Sequence, residues 1–178
     1  VYLADASAAA VTWNPILMNI RKDPKTELVF DSSKIPGEII DLMVVKTDAA
    51  DNFKKALVGA WYETMAVMSA GDANAKKAIE FMAKNAGSSV SDFEAQLKTT
   101  KMFYKPSDAL KFIQSGEPKK TMDYVRTFSF NKGLFGPGAP DKNFLGIEFA
   151  DGSILGNKSN VKMRFDAAYT KMASEGKL

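Results

Sequence analysis

The sequence contains no cysteine and no histidine. The first absence removes a thiol nucleophile, a disulfide and every thiolate metal site; the second removes the Ser-His-Asp triad, the imidazole ligand and the histidine pH switch. Proton transfer would fall to Lys, Tyr and carboxylates alone, and no nucleophile-base pair is apparent, so the chain reads as a non-enzyme without cofactor or metal. Arginine is scarce, at Arg21, Arg126 and Arg164 only, and 24 Lys plus Arg face 21 Asp plus Glu for a net charge of +3. That balance is not the basic footprint of a nucleic-acid binder, and bidentate Arg contacts to phosphates and bases are few. Long apolar runs are also missing: each breaks well short of the roughly 20 residues that a membrane-spanning helix needs.

What remains is globular. In 178 residues, 46% are hydrophobic and 25% charged, so low-complexity and disordered classes are excluded and one domain, or most of one, can bury a core without a staple. The start, Val1-Tyr2-Leu3-Ala4-Asp5, has no initiator Met and no apolar leader pattern, and is expected to be mature or internal, with sequence missing before it. Residues 6–12 are expected to form a short buried strand ending at Trp13-Asn14-Pro15. Asn14 then caps a short helix over 15–22 with Ile16, Leu17 and Ile20 on one face. Residues 27–30 read as a strand, and Asp31-Ser32-Ser33-Lys34-Ile35-Pro36-Gly37 as a loop of turn formers that could move. Residues 39–45, Ile-Ile-Asp-Leu-Met-Val-Val, are nearly all apolar and suggest a strand buried on both faces of a parallel or mixed sheet. Its two edges find too few partner strands in this sequence, so an incomplete fold is expected.

After Lys46 the period becomes helical, with Phe53, Leu57, Trp61, Met65 and Met68 on one stripe behind an Asp51 or Asn52 cap. Asp72 caps a helix over 73–85 with Ala75, Ile79, Met82 and Ala83 facing inward, and Ser91 opens a short one carrying Phe93 and Leu97. Pro106 and Pro118 mark two more helix starts, the first with Leu110, Phe112 and Ile113, the second with Met122, Val125, Phe128 and Phe130 turned inward. Ala150-Asp151-Gly152 joins two strands in a hairpin, and the tail from Val161 or Arg164 to Ser174 reads as helical.

Few of these features carry chemistry. Gly133-Leu134-Phe135-Gly136-Pro137-Gly138 follows a helix and places prolines where a phosphate cradle needs amide donors, so it is a turn. Lys54-Lys55 and Lys119-Lys120 read as solvated helix faces, and the methionines as core. Glu38 and Asp41, three apart in a strand, fall on opposite faces and cannot act as a paired acid and base; Asp41 suits a strand-end cap. Thr12-Trp13-Asn14-Pro15 delivers an aromatic and an amide to a helix start, where sheet proteins bind ligands.

Taken together, Val11-Thr12-Trp13-Asn14-Pro15, Leu28-Val29-Phe30-Asp31-Ser32-Ser33 and Ile35-Pro36-Gly37-Glu38-Ile39-Ile40-Asp41-Leu42-Met43-Val44-Val45 resemble the later half of a bacterial periplasmic solute-binding protein of an ABC importer. The similarity is to the nitrate/sulfonate/taurine type. Phe149-Ala150-Asp151-Gly152-Ser153-Ile154-Leu155-Gly156 and Val161-Lys162-Met163-Arg164-Phe165-Asp166 also resemble the C-terminal end of its urea-carboxylase-associated branch. The resemblance implies an α/β, type II periplasmic-binding-protein fold with a solute cleft between two lobes, here incomplete. Residues 1–37 would be part of the second lobe, and 38–178 the hinge crossover strand and the C-terminal part of the first. It also implies a monomer made with a signal peptide, periplasmic, serving nitrogen-compound uptake by delivering its solute to an ABC transporter permease. Trp13, Asn14, Glu38 and Asp41 would be ligand-binding residues, and Pro36 and Gly37 the hinge. A urea- or guanidine-like solute would stack on Trp13 and pair with Glu38 or Asp41, whereas a sulfonate- or nitrate-like one would need the amides near Asn14 and Ser32-Ser33. The alternative is a helical protein-protein interaction domain, with residues 53–69 and their neighbours forming a groove for a partner helix.

Overall fold

The structure is a computed structural model that describes residues 9–178, a mixture of helices with a small sheet, compatible with the α/β class. Helices α1 (Ile16–Arg21), α2 (Asp51–Ser69), α3 (Ala73–Asn85), α4 (Val90–Thr99), α5 (Pro106–Gln114) and α6 (Glu117–Asn131) precede strands β1 (Gly146–Glu148), β2 (Ile154–Gly156) and β3 (Val161–Arg164), and α7 (Ala168–Ser174) follows. Their starts obey local chemistry. The Asp72 carboxylate accepts from the Ala75 amide at 2.8 Å, and the Ser89 hydroxyl accepts from the Asp92 amide at 3.1 Å, so the cap of α4 is Ser89, two residues before the expected Ser91. Pro106 and Pro118 occupy first-turn positions whose amides have no helical partner anyway.

Several sequence expectations are corrected. Asn14 does not cap α1: Pro15 occupies the N-cap position without a side-chain cap bond, and Leu17 donates instead to the Trp13 carbonyl at 2.9 Å. Residues 27–30 and 40–46 form no strand, and 9–12 form none either; 6–8 of that expected strand lie outside the described residues. The apolar side chains are exposed, Val29 at 95%, Ile39 at 72% and Val44 at 79%. A two-face apolar strand needs covered faces and paired edges, and no described strand lies beside these segments. Asp41 accordingly caps no strand. Residues 161–164 are β3 rather than helix, because Val161 and Met163 alternate with exposed Lys162 and Arg164 at the two-residue period of a strand.

The described chain forms two compact units. One holds the residues up to Pro36 with Asp72–Met102; the other holds Gly37–Gly71 with Phe103–Leu178. Residues 72–102 therefore do not group with the rest of 38–178. In the first unit α3 packs on α4, and Lys22, just past α1, reaches Asp92 in the first turn of α4 at 2.7 Å.

In the second unit the sheet order is β2-β1-β3, with β1 antiparallel to β2 and parallel to β3. Gly156 ends β2 at φ +81°, and a Cβ there would stand 2.1 Å from the Leu145 carbonyl oxygen, so only glycine fits. Helix α7 packs against α5 and α2, and the Tyr169 hydroxyl donates to Asp51 at 2.9 Å. Met65, Met68, Ala109, Pro118, Ile147 and Phe149 form its buried apolar side chains, with the Phe149 ring stacked on Phe165 at 5.3 Å. On α2 the expected stripe is only half right: Met65 and Met68 are buried, but Phe53 and Trp61 are exposed. On α6 the inward face runs through Pro118, Met122 and Arg126, which leaves Val125 and Phe128 outside.

Candidate functional site

The sequence candidates divide between the units. Trp13 is 75% exposed and Asn14 half-buried in the first unit, while Glu38 and Asp41 are exposed in the second. Neither carboxylate makes a side-chain hydrogen bond or ion pair among the described residues, so both keep their acceptor capacity. Pro36 is the last residue of its segment in the first unit, and Gly37, at φ +84°, is the first of the second. The loop before them is closed on itself. Asp31 accepts from the Ser33 amide at 3.0 Å and from the Ser33 hydroxyl, and these bonds hold its carboxyl below the usual carboxylate range.

A polar cleft that the sequence reading missed lies in the second unit, where the end of α5, the start of α6 and the β1–β2 turn converge. Ile113 and Phe149 supply its apolar wall, and Ser115, Gly116, Lys119 and Asp151 its polar one. Its volume is about 70 Å³. Drug-sized ligands occupy clefts of roughly 300 Å³ or more, so this one takes a small polar molecule at most. The Lys119 ammonium donates to Ser153 Oγ at 2.9 Å, and that hydroxyl donates to Asp151. The Asp151 carboxyl is held below its usual range, first by the Ser153 hydroxyl, then by the Ser153 amide, with the Lys119 charge adding to them. The hydroxyl proton faces a carboxylate whose lowered pKa makes it a weak base, and the ammonium draws on the oxygen lone pair, so both partners lower the nucleophilicity of the serine. Lys119 differs from Lys120 only in register, and burial on one side of α6 distinguishes them.

A second polar cluster braces the same unit. Arg126, only 8% exposed, donates from Nε to Asp123 at 2.8 Å and from Nη1 to Asn143 at 2.8 Å. The Arg126 guanidinium is the main reason that the Asp123 carboxyl lies below its usual range. Lys142 adds a bond to Thr127 at 3.0 Å, fastening the segment before β1 to α6. These bonds tie α6 to the segment before β1. No group of three or more acidic residues among those described is placed to hold a metal ion.

Comparison of the chain with family models, with curated proteins and with solved structures finds no match.

Proposed function

We propose that this chain belongs to the solute-binding component of an ABC importer, with a type II periplasmic-binding-protein fold, and captures a small polar solute for a membrane permease. Trp13 and Asn14 supply a stacking face and an amide, Glu38 and Asp41 supply charge-assisted acceptors for a urea- or guanidine-like solute, and Pro36-Gly37 is the hinge. The observation that carries the reading is Trp13, a large apolar ring left three-quarters in water beside a polar amide. Such exposure forfeits burial energy that a planar solute would recover.

Calorimetric titration with urea, guanidinium, taurine and nitrate tests it. One of these solutes should bind, and Trp13→Ala should weaken that binding about fivefold, the loss of roughly 1 kcal/mol of stacking. Unchanged affinity in the variant, or no binding by any of the four, would refute the reading. The helical interaction domain is the second reading, favoured by Phe53 and Trp61 lying exposed on α2. A solute that binds in the Trp13-dependent way excludes it.

A further inference from the structure

Helix α6 carries an outward stripe at four-residue spacing: Lys120, Tyr124, Phe128 and Lys132, the last being the helix C-cap. Tyr124 is 65% exposed and Phe128 47%, and their rings stack on each other at 6.4 Å. The Lys132 ammonium lies 6.0 Å from the Phe128 ring centroid. Lys120 makes no ion pair among the described residues, and Glu117, exposed one turn earlier, marks the end of the stripe. The opposite face of α6 is occupied by Pro118 and by Arg126 with its partners, so the aromatic pair is not needed for the core of its own unit.

We infer that this stripe docks an acidic amphipathic helix of a partner protein. The apolar centre would sit on Tyr124 and Phe128, and two carboxylates of the partner would meet Lys120 and Lys132. At 1.5 Å per residue the two lysines stand about 18 Å apart along the axis, which fixes the spacing of the acids at about 12 residues on a helical partner. Beyond Lys120 the partner carries a neutral or basic group, facing Glu117.

Charge decides between occupants. A second copy laid along the same stripe antiparallel would bring Lys120 against Lys132 at both ends and repel itself. An RNA or DNA strand could stack on the rings, but two lysines beside a glutamate, in a chain with three arginines, offer little to its phosphates. A helix with apolar residues between acids satisfies both the ring pair and its flanks. The inference uses no residue of the proposed solute site and stands or falls separately from it.

The test is fluorescence anisotropy with a labelled helical peptide of about 16 residues, leucines at its centre and glutamates about 12 residues apart, beside the same peptide with lysine in place of glutamate. The glutamate peptide should bind, more weakly as salt rises, and the lysine peptide should not. The double variant Lys120→Glu, Lys132→Glu should lose the glutamate peptide about tenfold and gain the lysine one. The single variants should fall between, and either of them serves if the double variant does not fold. Equal binding of both peptides, wild-type affinity in the charge-reversed variants, displacement by single-stranded oligonucleotide below the peptide's own concentration, or self-association through the stripe would overturn the assignment.

Discussion

Arg126 reaches from the middle of α6 to Asn143, 17 residues further along the chain, and donates to its side-chain oxygen at 2.8 Å. The guanidinium sits inside the second unit with Asp123 on one edge and Asn143 on another, so removing it breaks charge-assisted bonds to both. Arg126→Ala should therefore destabilise the protein by about 1–3 kcal/mol, the range for hydrogen bonds to a charged group, even though water reaches Asn143 and Asp123. Arg126→Lys keeps the charge but not the fork and should recover less than half of the loss. Urea unfolding measures both, and a change below about 0.5 kcal/mol for Arg126→Ala would show the cluster to be dispensable.

The same contact sets an acid limit. Because the folded-state pKa of Asp123 is lowered, chiefly by Arg126, its contribution to stability is fully present above the ordinary carboxylate value and is lost as pH falls through the folded value. Stability should decline below about pH 4, and Asp123→Asn should make that decline shallower. Thermal unfolding followed from pH 6 to pH 2 gives the comparison. Parallel profiles for the two proteins would remove Asp123 from the account.

Gly156 and Gly133 separate backbone strain from steric clash. Both have positive φ, +81° and +68°, but a Cβ at Gly156 collides with the Leu145 carbonyl whereas nothing lies within 4 Å at Gly133. Gly133→Ala should cost about 1 kcal/mol and Gly156→Ala clearly more, since the β1–β2 pairing must also shift. Equal losses in chemical denaturation would mean that the hairpin yields freely.

Gly37 shares the strained φ of Gly133, and a Cβ there meets only the Phe112 ring and the Glu117 carboxylate at 3.7 Å. If Pro36-Gly37 is the hinge, Gly37→Ala should change the apparent affinity for solute several-fold while Gly133→Ala leaves it alone, at similar cost to stability. Matching affinities in the two variants would place the hinge elsewhere.

Hydrogen exchange should find residues 40–46 among the fastest amides of the chain, since none of their N–H groups donates a backbone hydrogen bond to another described residue, while the middles of α3 and α6 exchange slowly. Slow exchange at Leu42 to Val45 would reveal a pairing strand over this segment.

The sequence by itself determined whatever is closed within a few residues. The span of α3 follows from the Asp72 cap and its 3.6-residue period, the starts of α5 and α6 from Pro106 and Pro118, and the β1–β2 turn from Asp151-Gly152. These bonds run between near neighbours, so a short window contains both partners. The alternation of Val161, Lys162, Met163 and Arg164 in β3 was also present to be read, but its backbone partners lie in β1, about 15 residues earlier. Tertiary structure alone decided the rest. Arg126 points inward because Asn143 waits there, Lys119 lines a cleft because Ser153 lies across from it, and Tyr124 and Phe128 face outward as a result. Residues 39–45 have the composition of a buried strand but no strand beside them, and a strand, unlike a helix, satisfies its backbone only through a distant segment.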